Sequence, residues 1–230
     1  MKYIVFDFGK VLGYPTSGNW FITNKFLEEI NIKNLDISLV TQAINHNKGL
    51  VKDDFSIQNM EEEFVMFRRF YSSVLHILGI VDEKLSEELA HDRVYNFENY
   101  TLYDDVKTNL ERLSKEYKLI MLTDNWPSII DYLKEKEIYD YFDKVYVSSI
   151  YETKKEGGLF FDIMIRDYDM KEKEAMFIDD SEKLLDIASS KGLEVTMMDR
   201  DNNKESKYNR ITNISELEVI KNGRGIHTRN

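Results

Sequence analysis

The sequence predicts an α/β protein built on a parallel β-sheet core, with helices on both faces and an all-α cap domain. Three observations lead to this prediction. Short apolar runs recur along the chain, helical patterns separate the later runs, and a long stretch near the start is helical throughout. Alternation of strands and helices favours βαβ units and therefore a parallel sheet.

Five apolar runs have the length and the β-branched or aromatic character of buried strands. They are Tyr3–Phe6, Leu119–Leu122, Val145–Val147, Ala175–Ile178 and Val195–Met198. Apolar residues at helical spacing separate the later runs. These predicted helices cover residues 106–117, 127–138, 160–165 and 184–188, and the last one stops near Gly192.

Residues 14–98 have a different pattern, in which one helix follows another. The predicted helices are Trp20–Ile30, Ile37–Asn45, Met60–Leu78 and Glu83–Val94. An apolar stripe along the third helix indicates packing within a small bundle. We therefore predict a core domain made of residues 1–13 and 99–230, and a helical cap domain, residues 14–98, over the active edge. Trp20 and Trp126 are expected to pack where cap and core meet.

Composition narrows the class of protein. The 230 residues are 42% hydrophobic, which is ample for a core, and the net charge of −11 argues against nucleic acid or an anionic membrane as the partner. The absence of cysteine excludes disulfides and thiolate chemistry. No apolar stretch approaches the roughly 18 residues that span a bilayer, and the first run is too short for a signal peptide. We expect a soluble, cytoplasmic protein, either a monomer or a homodimer.

Polar and charged residues stand at the ends of four predicted strands or shortly after them. They are Asp7, Thr123, Lys155 and the pair Asp179–Asp180. The carboxyl ends of parallel strands meet at one edge of the sheet, where open α/β sheets bind their ligands. A carboxylate nucleophile, a hydroxyl, a cation and an acidic pair for Mg²⁺ suit phosphoryl transfer through an aspartyl-phosphate.

Each of these residues also has a simpler interpretation. Thr123 could cap the following helix, and Asp179 with Asp180 could cap the helix that begins near Ser181. Lys154 and Lys155 could be a solvated pair of charges. Their order and their common position at strand ends favour one shared site.

The order Asp-x-Gly-x-Val-Leu, strand-Thr, Lys and Phe-Ile-Asp-Asp resembles the haloacid dehalogenase superfamily of hydrolases, over nearly the whole chain. The resemblance implies a Rossmann-like core with a helical cap inserted after the first strand. It implies that Asp7 is the nucleophile and a Mg²⁺ ligand, and that the carbonyl of Gly9 is a second ligand. Asp180, with Asp179 beside it, resembles the acidic metal-binding pair.

The same resemblance implies which residues bind the phosphate. It implies that Thr123 supplies a phosphate-binding hydroxyl and Lys155 a cation, although Lys154 is an alternative to Lys155. Lys10 could add positive charge or point to solvent. The substrate-binding candidates are therefore Thr123, Asp124, Asn125, Lys155 and Lys10.

Two positions depart from the family pattern. Gly9 stands where family phosphatases usually carry a second Asp, the general acid and base, whose loss typically costs about 10²–10⁴ in rate. Glu156 stands where the family commonly has proline, and its carboxylate could draw Lys155 away from the phosphate.

The preferred hypothesis is a Mg²⁺-dependent phosphatase of a small phosphorylated metabolite. Two other chemistries of the superfamily are alternatives. A dehalogenase would not need the acidic pair, and a phosphonate hydrolase would need a reactive lysine in the cap region, such as Lys25, Lys33 or Lys48. A catalytically weak protein with a binding or regulatory role is the alternative from a different class, motivated by Gly9 and Glu156.

Overall fold

The computed structural model describes residues 1–52, 56–218 and 227–228. The predicted fold class is confirmed: a parallel sheet lies between helices, and a helical part follows the first strand. Residues 219–226 and 229–230, which belong to the predicted core segment, lie outside the described residues. Within the described ranges, no helix is long and apolar enough to cross a bilayer.

The elements of the described residues are named here in chain order. The strands are β1 Tyr3–Phe6, β2 Gly13–Pro15, β3 Tyr100–Leu102, β4 Lys118–Thr123, β5 Phe142–Val147, β6 Ala175–Asp179, β7 Glu194–Met198, β8 Arg210–Ile211, β9 Leu217–Glu218 and β10 His227–Thr228. The helices are α1 Asn24–Ile32, α2 Ile37–Asn47, α3 Gly49–Lys52, α4 Met60–Ile77, α5 Glu83–Tyr95, α6 Val106–Ser114, α7 Ser128–Glu135, α8 Leu159–Asp167 and α9 Glu182–Ser190.

Six strands form the main sheet in the order β5-β4-β1-β6-β7-β8, and every neighbouring pair is parallel. Strand β1 is central and its residues alternate between two apolar layers. Ile4 and Phe6 face the layer that holds α6 and α7, while Val5 faces the layer that holds α8 and α9. Both faces are therefore covered, as the continuous apolar runs require.

The order of the strands determines where a ligand can bind. From β1 the chain proceeds outward through β4 and β5, then returns to β6 on the other side of β1 and continues outward to β7. The loops after β4 and β6 therefore diverge on either side of the end of β1. A crevice at such a switch point, beyond the carboxyl ends of the strands, is the usual ligand position in open α/β sheets.

Helices α1 to α5 enclose an apolar cluster of their own, with Phe26, Val40, Phe67 and Leu89 among its buried members. The segments that lead into and out of this helical part pair as the antiparallel strands β2 and β3. The limits of residues 14 and 98 for the cap remain a prediction.

Some predicted element limits are wrong. The helix predicted to begin at Trp20 begins at Asn24, because the Thr23 hydroxyl accepts the N–H of Phe26 and caps the helix there. The helix predicted to reach Ile138 ends at Glu135, and Glu137 adopts a left-handed φ of 56°. Ile138 is nevertheless buried, so its apolar character served the core and not the helix.

A buried polar contact joins the helical part to the core. The Glu63 carboxylate of α4 is fully buried and accepts hydrogen bonds from the N–H and the Oγ of Ser128, at 2.8 and 2.7 Å, at the start of α7. Nη1 of Arg93 lies 4.0 Å from Glu63 Oε1, and the guanidinium lies over the rings of Phe67 and Trp126. An acceptor at a helix N-terminus satisfies N–H groups that have no partner within the helix.

Replacing Glu63 by alanine would leave the Arg93 guanidinium buried without a counter-charge. We expect the free energy of unfolding to fall by about 3–5 kcal/mol, measured by urea denaturation. The matched control is Glu111→Ala, which removes the exposed 2.9 Å pair with Lys115 and should cost less than about 1 kcal/mol. Equal losses in the two variants would contradict the role assigned to Glu63.

Candidate active site at the carboxyl edge of the sheet

Asp7 lies at the centre of this edge. It follows β1 directly, and β4 and β6 flank β1, so the end of β1 faces the ends of both neighbours. The Asp7 N–H donates to the carbonyl of Ile178 at 3.0 Å, which fixes the start of the loop against β6. The residue is only 8% exposed. A carboxylate in such a place needs a charged or hydrogen-bonding partner.

Lys155 provides that partner. It lies in a short turn after β5, is 2% exposed, and its Nζ lies 2.8 Å from Asp7 Oδ1 and 2.7 Å from Asp179 Oδ2. Burial alone would lower the pKa of the ammonium, but the carboxylates of Asp179 and Asp7 raise the pKa above its ordinary value. Lys155 is therefore held as a cation between two acids. The structure brings this lysine, and not Lys154, into contact with Asp7.

The three predicted acidic ligands converge. One carboxylate oxygen each from Asp7, Asp179 and Asp180 can be chosen so that all lie within 4.8 Å of one another. Burial, together with the charge of Asp7, raises the pKa of Asp179 to about 7, although Lys155 opposes the shift. Three carboxylates beside one buried ammonium leave an excess of negative charge, and oxygen ligands of this kind suit Mg²⁺. The donor set therefore fits a hard divalent cation.

Asp180 has partners that the sequence did not indicate. The Nζ of Lys204 donates to the carbonyl oxygen of Asp180 at 2.6 Å and to its Oδ2 at 3.0 Å. The Nζ of Lys10 lies 3.9 Å from the same Oδ2, and most of the Lys10 side chain is exposed. Lys204 lies in an irregular segment after β7, so no periodicity or motif marks it.

The residues after β4 form the opposite wall of the site. Thr123 ends β4 and is buried, and its carbonyl accepts from the N–H of Ser148 at 3.0 Å. The interpretation of Thr123 as a helix cap is wrong, because Pro127 occupies the N-cap position of α7. The Asn125 Oδ1 accepts from the N–H of Trp126 at 2.9 Å, so this carboxamide shapes the turn.

Asp124 points into the same space. Its Oδ1 accepts from the backbone N–H of Lys155 at 3.1 Å, which ties the loop after β4 to the loop after β5. Water reaches the carboxyl group, which borders a cavity, but the enclosing protein still raises its pKa above the usual value. Lys155 and the hydrogen bond from its N–H oppose this shift.

A cavity of about 680 Å³ opens above these groups. Its floor contains the predicted residues, including Gly9, Lys10 and Thr123, and its apolar wall is formed by Trp20, Phe21, Val51, Trp126 and Leu184. The volume is in the range of pockets that bind small molecules. Trp20, Phe21 and Val51 come from the predicted cap segment, so that segment closes the site from above.

Trp20 occupies the space beside Gly9. A Cβ atom at residue 9 would lie 3.2 Å from Cζ2 of Trp20 and 3.6 Å from Asp7 Oδ2. The indole stacks on Tyr100, with ring centroids 5.8 Å apart, and meets the edge of Phe8 at 6.3 Å. The space next to the Asp7 carboxylate is therefore filled by a fixed aromatic ring.

Two sequence interpretations are corrected here. Glu156 does not draw Lys155 away from the site, because it forms a salt bridge with Lys183 while Lys155 contacts Asp7 and Asp179. The cap lysines considered for phosphonate chemistry lie elsewhere: Lys25 pairs with Glu88 at 3.3 Å, and neither it nor Lys33 nor Lys48 is among the residues that line the cavity.

Comparison with solved structures shows the same fold. The putative HAD-hydrolase YfnB from Bacillus subtilis, determined with bound magnesium, has a TM-score of 0.66 and 16% identity over 94% of this chain and 96% of that chain. L-2-haloacid dehalogenase from Xanthobacter autotrophicus has a TM-score of 0.65, with 14% identity over the same shares. A HAD phosphatase from Thermococcus onnurineus has a TM-score of 0.58, with 18% identity over 94% and 95%.

The curated proteins include no significant match to this chain. The profile of the family described as haloacid dehalogenase-like hydrolase matches residues 4–199, which takes in every predicted site residue from Asp7 to Asp180. The superfamily predicted from the sequence is thereby confirmed. The chain belongs to the haloacid dehalogenase-like hydrolases.

Proposed function

We propose that the protein is a Mg²⁺-dependent phosphatase that acts on a small phosphorylated metabolite through a phosphorylated Asp7. The observation that carries this proposal is the position of Asp7, beside a buried ammonium and an acidic cluster at the mouth of a cavity. A related chain, YfnB, was solved with magnesium, which supports the choice of ion.

The nucleophile is held in place by Lys155. The ammonium binds Oδ1 of Asp7, so the other oxygen, Oδ2, is the one that attacks the phosphorus atom. As the new P–O bond forms, the ester P–O bond breaks and its electron pair leaves with the alcohol oxygen. Water then hydrolyses the acyl phosphate and releases inorganic phosphate. Lys155 also offsets the repulsion between the carboxylate and the incoming phosphate.

The acidic residues would hold the metal ion. Asp7, Asp179 and Asp180 offer carboxylate oxygens, and Lys204 fixes one oxygen of Asp180. Mg²⁺ bound there would supply positive charge to the phosphoryl oxygens. The Ser181 N–H donates to Asp179 Oδ1 at 2.9 Å and so orients this carboxylate within the cluster. Thr123 and the backbone after β4 provide hydrogen bonds to the phosphate on the other side.

A dehalogenase uses an aspartate to displace a halide, and several of the similar structures are dehalogenases. The acidic cluster favours the phosphatase, because halide displacement has no use for a divalent cation. The buried Lys155–Asp7 contact at the edge of the cavity favours catalysis over a solely binding role.

The proposal is tested by hydrolysis of p-nitrophenyl phosphate with and without Mg²⁺. We expect Mg²⁺-dependent release of nitrophenol, and a loss of at least about a thousandfold in the Asp7→Asn variant. Asp131→Asn is the control, because Asp131 pairs with the exposed Lys134 on α7. No release from this ester or from a panel of metabolite phosphates, by a protein that still binds Mg²⁺, would favour a binding role.

A second prediction concerns the metal ligands. The Asp180→Asn variant should need at least about tenfold more Mg²⁺ for half-maximal activity, because the amide lacks the charge that attracts the ion. The rise in melting temperature on adding Mg²⁺ without substrate should shrink in parallel. An unchanged Mg²⁺ dependence would exclude Asp180 as a ligand. Asp131→Asn again serves as the control.

A third prediction concerns Lys155. The Lys155→Met variant leaves the carboxyls of Asp7 and Asp179 buried without a cation, which should cost about 3–5 kcal/mol of stability at pH 8. Burial already raises the pKa of the Asp179 carboxyl to about 7, and loss of the Lys155 cation raises it further. The loss of stability should therefore diminish as the pH falls and this carboxyl takes up a proton. Urea denaturation at pH 8 and pH 5 measures both effects. The control is Lys154→Met at the partly exposed neighbouring residue, which should change stability by less than about 1 kcal/mol. A loss of stability in Lys155→Met that does not depend on pH would contradict the prediction.

A further inference from the structure

Among the residues that the structure describes, the nearest neighbours of a Cβ atom at residue 9 are the Trp20 ring and Asp7 itself, so no second carboxyl group stands beside Asp7 Oδ2 on that side. Residue 9 is a position from which a side chain could donate a proton to a leaving group, because its Cβ would lie 3.6 Å from Asp7 Oδ2. Glycine occupies this position, and the ring of Trp20 fills the volume next to it. The ring is held in this position by its stacking on Tyr100.

Each described carboxyl group that lines the cavity already has a partner within the protein. Asp179 contacts Lys155, Asp180 accepts from Lys204, and Glu156 pairs with Lys183. Asp124 also lines the cavity, and its pKa is raised although it is not a predicted metal ligand. One of its oxygens, Oδ1, already accepts a hydrogen bond from the N–H of Lys155.

The remaining wall of the cavity has a distinct chemical character. A leaving group displaced by Asp7 would depart into this cavity, whose apolar wall consists of Trp20, Phe21, Val51, Trp126 and Leu184. Trp20 is stacked on Tyr100, and Trp126 meets the edge of Phe67 with centroids 5.1 Å apart. Rigid aromatic rings of this kind bind flat apolar groups better than polyhydroxylated ones.

We propose that the phosphatase selects phosphate monoesters of aromatic alcohols, whose oxygen departs as a stabilised anion and whose ring binds against Trp20 and Trp126. This inference rests on the phosphatase function proposed above. Asp7 forms a bond to phosphorus, the bond from phosphorus to the aryl oxygen breaks, and the electron pair leaves on that oxygen. Solvent protonates the aryloxide after it has departed, so no protein acid is needed.

The test compares esters of similar size. Phenyl phosphate and cyclohexyl phosphate differ little in shape, but only the first has a leaving group that is stable as an anion. We expect kcat/KM to be at least about a hundredfold lower for cyclohexyl phosphate than for phenyl phosphate, because a general acid typically contributes a rate factor of that size. Turnover of the two esters within a factor of about three would overturn the proposal while leaving the phosphatase function intact. No turnover of any ester, p-nitrophenyl phosphate included, would overturn both.

Two double variants test whether the missing proton donor explains the difference between the esters. Gly9→Asp combined with Trp20→Ala makes room for a carboxyl beside Asp7, and the absence of a left-handed φ at Gly9 permits the substitution. Its matched control, Gly9→Asn with Trp20→Ala, has the same shape but no proton to give. The Asp variant should narrow the gap between the two esters about tenfold or more relative to the Asn variant. Equal gaps in the two variants would contradict the proposal.

Two single variants separate the remaining explanations. Trp126→Leu should raise KM for phenyl phosphate several-fold while kcat stays nearly constant, because the indole binds the ring and takes no part in bond breaking. A change in kcat alone would overturn that assignment. Asp124→Asn should leave the ratio of the two esters unchanged. If Asp124→Asn lowered the rate for cyclohexyl phosphate but not for phenyl phosphate, Asp124 would be identified as a general acid and the proposal would be overturned.

Discussion

The arrangement of the site depends on one buried cation. The Lys155 ammonium contacts Asp7 Oδ1 and Asp179 Oδ2 at 2.8 and 2.7 Å and is almost completely hidden from water. It draws together the ends of β1 and β6 and the turn after β5, three segments that are far apart in the chain. Without it, the carboxylates of Asp7 and Asp179 would lie at the edge of an apolar sheet with no cation between them, which is a costly arrangement of charge.

The helical part contributes to the site in two ways. Trp20, Phe21 and Val51 form part of the apolar wall of the cavity, so the segment that follows β1 contributes to the shape of the cavity. The buried hydrogen bonds from Ser128 to Glu63 fix α4 against the start of α7, the helix that follows the loop from Thr123 to Trp126. This loop therefore lines the cavity and leads directly into the helix start that holds the helical part against the core.

Much of the fold and of the candidate site could be predicted because their signals are local. The apolar runs mark the five longer strands of the main sheet, and Asp7, Thr123, Lys155, Asp179 and Asp180 stand at strand ends or in the loops after them. Short elements such as β2, β3 and β8 escaped prediction because two or three residues carry no periodic pattern. Lys204 and Glu63 escaped for another reason, since each acts through a partner distant in sequence and neither stands in a motif.

The sequence by itself determined the order of strands and helices, the family, and the acidic and basic residues that gather at one edge of the sheet. The strands follow from continuous apolar runs and the helices from the 3.6-residue period, whereas the family follows from the order of its motifs. The shared position of the charged residues follows from the rule that parallel strands end on the same side. Tertiary structure alone decided that Trp20 fills the space beside Gly9, that Lys204 holds Asp180, and that Lys155 rather than Lys154 contacts Asp7. Such contacts depend on packing between distant segments, which no local pattern encodes.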